Sequence, residues 1–300
     1  MNVRTYLKVL LITLLIVSVM ALGFIAYYIW TTNVWGAYAF KSGQHGDALD
    51  EIEGSRINTL VVGKDRVADN TDTILVMSAD TSDSNIYIVS IPRDTKVSVN
   101  GRTMKINAVY SYAKYSGEAP EELLIDTVKE VTGIKINNYA IIDTKAFREI
   151  VDALDGVEYD VPRDYNYDDP YQDLHIHIKK GFQTLYGEDA EGLVRYRHDY
   201  ARADLERVEV QQSFIKELIK QKLKAKYITK APKVYRSAQE NITSNFTVNE
   251  LMEYARKLKD ISDDTIHTFT IPGEARMING ASYFIIYEEE TKEMVRKYFE

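Results

Sequence analysis

The chain contains no cysteine. A disulfide framework, a thiolate zinc site and a cysteine nucleophile are therefore excluded. Proline and glycine are also scarce, at 6 and 15 of 300 residues, and no Pro/Gly-rich break follows residue 55. With no internal repeat and no low-complexity tract, residues 56–300 read as one domain. Excess positive charge is missing too. The net charge is −8, and setting aside Arg4 and Lys8 leaves 35 basic against 45 acidic side chains, a balance of −10. This balance argues against nucleic acid as a partner, since its binders carry a basic face, but it leaves room for a local basic pocket.

Charge is absent altogether from Val9 to Trp30, a run of 22 residues. As a helix this run spans roughly 33 Å, about the hydrocarbon thickness of a bilayer. Arg4 and Lys8 precede it and no acidic residue occurs before Asp47. The positive-inside rule then makes residues 1–8 a cytoplasmic N-terminus, 9–30 a transmembrane helix and the remainder extracellular, in a single-pass protein of the cell membrane. Tyr27, Tyr28 and Trp30 stand where an interfacial aromatic belt belongs. The alternative is a cleaved signal peptide. Its apolar core usually runs only about 7–15 residues, and the small residues around Ala21 lie inside a run that is still hydrophobic. Residues 31–55, with Lys41-Ser42-Gly43-Gln44-His45-Gly46, read as a linker.

Short β-branched runs predict strands at Thr59–Val62, Thr73–Ser78 and Ile86–Ile91. Pro120 opens a helix that Gly133 stops, and Asp143 caps a second with Phe147, Ile150, Val151 and Leu154 on one face. Tyr139–Ile142 is a strand between them. Beyond Gly187 the pattern is helical to about residue 225. Another helix is expected at Val248–Leu258, strands near His267–Ile271 and Ser282–Tyr287, and a last helix at Glu289–Phe299. Such alternation predicts a layered α/β domain.

Arginines gather at loop-like positions. Arg93 follows a buried strand in Ser90-Ile91-Pro92-Arg93-Asp94, and Arg195 and Arg197 share one side if Val194-Arg195-Tyr196-Arg197 is extended. Asp204, Arg207 and Gln211 form one polar row if their segment is helical. Several guanidiniums aimed at one point suit a pyrophosphate, whose oxygens they bind in pairs. Ordinary salt bridging to Asp94, Asp199 or Asp204 is the competing account of each arginine. Asp65 and Asp72 close and open neighbouring strands, where carboxylates can share a hard cation with phosphate oxygens. Turn chemistry explains either aspartate alone.

These residues resemble, in order and spacing, the LytR–CpsA–Psr phosphotransferases over about Asn58–Gln212. The matching signatures are Gly63-Lys64-Asp65-Arg66, Asp72-Thr73, Ile91-Pro92-Arg93-Asp94 and Lys105-Ile106-Asn107-Ala108. Val157 follows Asp155-Gly156, and Gly181 and Leu185 precede Gly187-Glu188. Val194-Arg195-Tyr196-Arg197 and Asp204-x-x-Arg207-x-x-x-Gln211-Gln212 complete the set. The resemblance implies a three-layer α/β/α sandwich with a central mixed sheet and an apolar tunnel for a polyprenyl chain. It implies that Asp65 and Asp72 hold Mg²⁺ (Mn²⁺ being admissible) and that Arg93, Lys105, Arg195, Arg197, Arg207 and Gln211 bind the pyrophosphate. The implied activity moves a polyprenyl-pyrophosphate-linked glycopolymer (teichoic acid, capsule or related wall polysaccharide) onto a peptidoglycan sugar hydroxyl at the cell membrane. Arg93, Asp94, Arg195 and Arg197 are then the catalytic candidates, with Asp94 as base. A polyprenyl-pyrophosphate hydrolase and a non-catalytic lipid-binding homologue are the alternatives.

The pattern departs at four places. Asn70 stands where the family carries Arg, the Asp65–Asp72 loop is short, Asp155 replaces the first of two glycines, and Val210 replaces an Arg. Asn70 removes one phosphate-binding cation, for which Arg66 and Lys64 are the nearest substitutes.

Overall fold

The computed structural model describes residues 47–65, 68–169, 174–198, 204–258 and 261–300, with backbone alone at 204, 205, 225 and 228. The run 9–30 lies outside these residues, and no helix among the described residues is long and apolar enough to cross a membrane.

In chain order, β1 (Arg56–Lys64), β2 (Thr71–Asp80) and β3 (Ile86–Ser90) are followed by the hairpin of β4 (Lys96–Val99) and β5 (Arg102–Lys105). Helices α1 (Val109–Ser116) and α2 (Pro120–Thr132) come next, then β6 (Asn138–Asp143) and α3 (Thr144–Ala153). Two hairpin pairs follow, in which β7 (Val157–Val161) pairs with β10 (Gly181–Leu185) around β8 (Tyr165–Asp169) and β9 (Leu174–Ile178). Then come α4 (Gly187–Arg195), α5 (Asp204–Lys222), α6 (Ala225–Ile228), α7 (Ala231–Ala238), β11 (Ile242–Ser244) and α8 (Val248–Lys257). The chain ends with β12 (Ile266–Thr270), the hairpin β13 (Gly273–Ile278) and β14 (Ala281–Ile286), and α9 (Glu288–Tyr298).

Six strands form one mixed sheet in the order β11-β6-β1-β2-β3-β12. β1 is antiparallel to β2 and parallel to β6, β2 is antiparallel to β3, and β12 runs parallel to β3. The carboxyl ends of β1, β3, β6 and β12 therefore share one end of the sheet with the start of β2.

Period-2 alternation decides what each face covers. Leu60, Val62, Ile74, Val76 and Val89 pack against Val109, Leu124, Ile125 and Val128 of α1 and α2 and against Met294 and Val295 of α9. On the other face Leu75, Ile86 and Ile88 meet Ile215 and Ile219 of α5 and Leu223 just past its end, while Ile142 joins α3, α7 and α8. Helices cover both faces, as expected for a three-layer arrangement. Pro120 starts α2, Gly133 ends it with φ at +74°, and the Asp143 side chain accepts from the Ala146 N–H to cap α3.

The continuous helical pattern beyond Gly187 requires correction. Helix α4 stops at Arg195 and α5 begins at Asp204. Tyr196 takes an extended backbone, and its buried ring packs edge-on to Tyr165 and Tyr167 of β8. That aromatic seat draws the chain off the helix axis.

Candidate functional site

The shared end of the sheet gathers most of the expected residues. Asp72 opens β2. Arg93 and Asp94 lie in a tight turn after β3, where the Thr95 N–H and hydroxyl both donate to the Pro92 carbonyl. The Asn107 N–H donates to the Arg93 carbonyl, so the stretch after β5 holds this turn in place.

Asp72 is the centre. Its Oδ1 accepts from Arg93 Nη1 at 2.9 Å, and its Oδ2 lies 3.0 Å from Arg197 Nη2. Arg207, 1% exposed, donates from Nη2 to the Asp72 backbone carbonyl at 3.4 Å. Burial by itself would push the Asp72 carboxyl up, but Arg197, then Arg93 and Arg207, outweigh it and hold the group below its ordinary value. Asp94, the expected base, pairs with Lys105 Nζ at 3.0 Å and sits 3.9 Å from Arg93 Nε. The β4–β5 hairpin is what delivers Lys105 there.

Arg195 and Arg197 do not converge. Because α4 ends between them, Arg197 reaches Asp72 while Arg195 turns back one helical turn to Glu191 Oε1, at 2.7 Å. Glu191 is 3% exposed and also takes Arg148 Nε. Neither Glu191 nor Arg148 stood out in the sequence. Their signal is an acid on the otherwise apolar stripe of α4. Gln211, also buried, donates to the Val194 carbonyl and ties α5 to the end of α4. Its neighbour Gln212 donates to Ser90 Oγ and to the Phe269 carbonyl, joining α5 to the ends of β3 and β12.

The loop between β1 and β2 is closed by Asp65, whose carboxylate accepts from the N–H groups of Ala68 and Asn70. The Asn70 side chain faces α1 and accepts from Ser111 Oγ. Lys64, one expected substitute for the missing arginine, pairs with Asp69 at 2.6 Å, and Lys114 of α1 takes the other Asp69 oxygen at 2.5 Å. Burial pushes the Asp69 carboxyl up, yet Lys114 and Lys64 more than offset this and lower it. Arg66, the other substitute, and Asp199 lie outside the described residues.

Asp65 and Asp72 follow and open adjacent antiparallel strands, with Gly63 opposite Thr73 and Lys64 opposite Thr71. Asp72 is held in its anionic form, as a hard cation requires. Among the described residues no three His, Cys, Asp or Glu side chains are arranged to hold a metal. Asp65 and Asp72 are the carboxylates here that could hold a hard cation, which would draw its remaining ligands from water and substrate phosphate.

The LytR_cpsA_psr family model matches residues 27–300. The cell wall biosynthesis protein LcpA of Corynebacterium glutamicum is 32% identical over 256 residues, covering 77% of this chain and 48% of that protein. The polyisoprenyl-teichoic acid–peptidoglycan teichoic acid transferase TagV of Bacillus subtilis is 28% identical over 233 residues, 76% of this chain and 58% of TagV. The chain thus spans about half the length of these two relatives. The crystal structure of B. subtilis TagV superposes with a TM-score of 0.69 at 26% identity, over 82% of this chain and 96% of that one. The fold is shared as well with TagT bound to LI-WTA, at a TM-score of 0.66 and 19% identity over 86% and 97% of the two chains. By the extent of these matches and the arginines assembled around Asp72, the chain belongs to the LytR_cpsA_psr family.

Proposed function

We propose that the chain is a phosphotransferase of the cell surface, moving a glycopolymer from a polyprenyl-pyrophosphate carrier onto a peptidoglycan sugar hydroxyl. The observation that carries the reading is the gathering of Arg93, Arg197 and Arg207 on the single aspartate Asp72. Together with Lys105, these four cations gather on the carboxylates of Asp72 and Asp94, which leaves an excess of positive charge for an incoming diphosphate. TagV, which its name assigns to teichoic acid transfer onto peptidoglycan, supports the choice of reaction.

In this reaction the acceptor hydroxyl oxygen forms a bond to the phosphorus bearing the glycopolymer. The bridging P–O bond breaks, and polyprenyl phosphate leaves with the electron pair. Asp94 takes the acceptor's proton. Arg93, Arg197 and Lys105 orient the phosphates and offset the charge that spreads over their oxygens, which is most of what phosphoryl transfer needs from a protein. Arg207 acts from beneath by holding the Asp72 backbone. Mg²⁺ held by Asp65 and Asp72 would supply further neutralisation of the diphosphate.

The test incubates the full chain in detergent with a lipid-pyrophosphate glycopolymer, with and without peptidoglycan fragments. Polymer joined to the fragments supports transfer. Polymer released without joining overturns it in favour of hydrolysis, and tight lipid binding without turnover in Mg²⁺ overturns it in favour of a binding protein.

A further inference from the structure

Residues 218–239 hold seven basic side chains (Lys220, Lys222, Lys224, Lys226, Lys230, Lys233 and Arg236) and no acidic one, in a chain of net charge −8. They run from the end of α5 through α6 and α7. Two of the lysines are already neutralised, because Lys220 pairs with Glu217 and Asp263, and Lys230 with Asp155. Lys222, Lys224, Lys226 and Lys233 make no ion pair among the described residues. Lys222 and Lys226 instead lie 4.6 and 4.8 Å from the Tyr227 ring centre.

Beside this basic rim is a groove of about 170 Å³ with an apolar floor of Leu154, Val234, Val248, Leu251 and Met252. Leu251 is 39% exposed. An apolar floor with a cationic edge matches the cross-section of a bilayer interface, where apolar area and attraction to anionic lipid add.

The location fits the same partner. The groove lies at the end of the sheet opposite Asp72. The chain also enters the domain there: the Asp50 N–H donates to the Ile136 carbonyl and Asn137 Nδ2 to the Glu51 carbonyl, just before β6 begins. Asn245 accepts from the Tyr139 N–H at that end, and α8, whose first turn lines the groove, starts three residues later. Between Trp30 and Asp47 the sequence has 16 residues, a reach of at most roughly 55 Å from the end of the uncharged run. A tether that short keeps this end of the domain close to any bilayer that holds the run, so even weak docking would be populated.

We propose that the α6–α7–α8 groove and its lysine rim dock on an anionic membrane surface. With the groove docked, Asp72 and its arginines stand at the far end of the sheet, so the diphosphate of a membrane-held carrier reaches them only when its polyprenyl chain is drawn up along the domain. This inference is independent of the transfer reading, because its test measures no turnover.

The absence of cysteine makes the test direct. Full-length protein carrying Thr229→Cys, between α6 and α7, or Thr103→Cys, on β5 two residues before Lys105, is labelled with an environment-sensitive dye. Each is placed in lipid nanodiscs of phosphatidylglycerol or of phosphatidylcholine. The dye at 229 is expected to be about tenfold less accessible to an aqueous quencher in the anionic discs, with no such difference at 103. Lys222→Glu/Lys224→Glu/Lys226→Glu, at exposed or half-exposed positions, should abolish the difference while circular dichroism shows the fold retained, and high salt should reduce it. Equal accessibility at 229 in both lipids overturns the proposal. So does a triple variant that still docks, or protection at 229 that requires a soluble wall polyanion instead of anionic lipid.

Discussion

Arg207 and Asp72 meet through the backbone of the aspartate and not its carboxylate: Arg207 Nη2 lies 3.4 Å from the Asp72 carbonyl oxygen, leaving the carboxylate to Arg93 and Arg197. The buried arginine of α5 thus sets where β2 begins, and the two more exposed ones meet what arrives from solvent.

The division of labour separates two kinds of variant. Arg197→Ala, at a half-exposed position, should leave thermal stability nearly unchanged and lower the transfer rate by roughly 10²-fold or more. Arg207→Met should instead destabilise the fold by about 2 kcal/mol, because the Asp72 carbonyl loses its buried donor. Rate assays paired with chemical denaturation of both variants check this. An Arg197→Ala enzyme of full activity would remove that residue from the site.

Asp72 should also shape the acid limb of stability. Its carboxyl is lowered in the folded state, so its contribution is complete above the ordinary aspartate value and is lost as the pH falls through the lower folded value. Melting temperatures of the native chain and Asp72→Asn should therefore converge as pH is lowered below about 4 and differ most near neutrality. A constant gap across that range would contradict the ion-pair account.

Glu191 serves stability as well as placement. Its nearly buried carboxylate joins Arg148 of α3 to Arg195 of α4, and Glu191→Ala leaves two guanidiniums without that partner. Both arginines are partly solvated, so the expected loss is about 2 kcal/mol and not the larger figure for a fully buried pair. Urea midpoints at unchanged m-value measure it.

Gly187 tolerates no side chain. A Cβ there would stand 2.5 Å from the Arg148 carbonyl oxygen and 2.7 Å from Asp152 Oδ2, while the Gly187 N–H donates to the same carboxylate. Gly187→Ala should push α4 off α3 and cost about 1–3 kcal/mol, read as a lower melting temperature.

Much of the framework was legible from local pattern. β-branched runs, Pro120, Gly133 and the Asp143 cap marked strands and helices that the structure contains, because each depends on neighbours in sequence. The β7–β10 hairpins and the β4–β5 hairpin were not seen, since their strands are short and half polar, and pairing between distant segments holds them. Asp72 and Arg93 were marked by sequence and meet in space. Arg195 was marked too, but Glu191 claims it.

By itself the sequence determined the absence of thiol chemistry, the acidic balance, the uncharged 22-residue run and the ordered motifs that place the chain in its family. Those are properties of residue type and spacing, which need no coordinates. Tertiary structure alone decided which arginines share Asp72 and that Tyr196 breaks the helix between Arg195 and Arg197. It also decided that the lysine rim and the arginine site occupy opposite ends of one sheet. Convergence of side chains depends on strand direction and on where a helix stops, and both are set by burial against partners far along the chain.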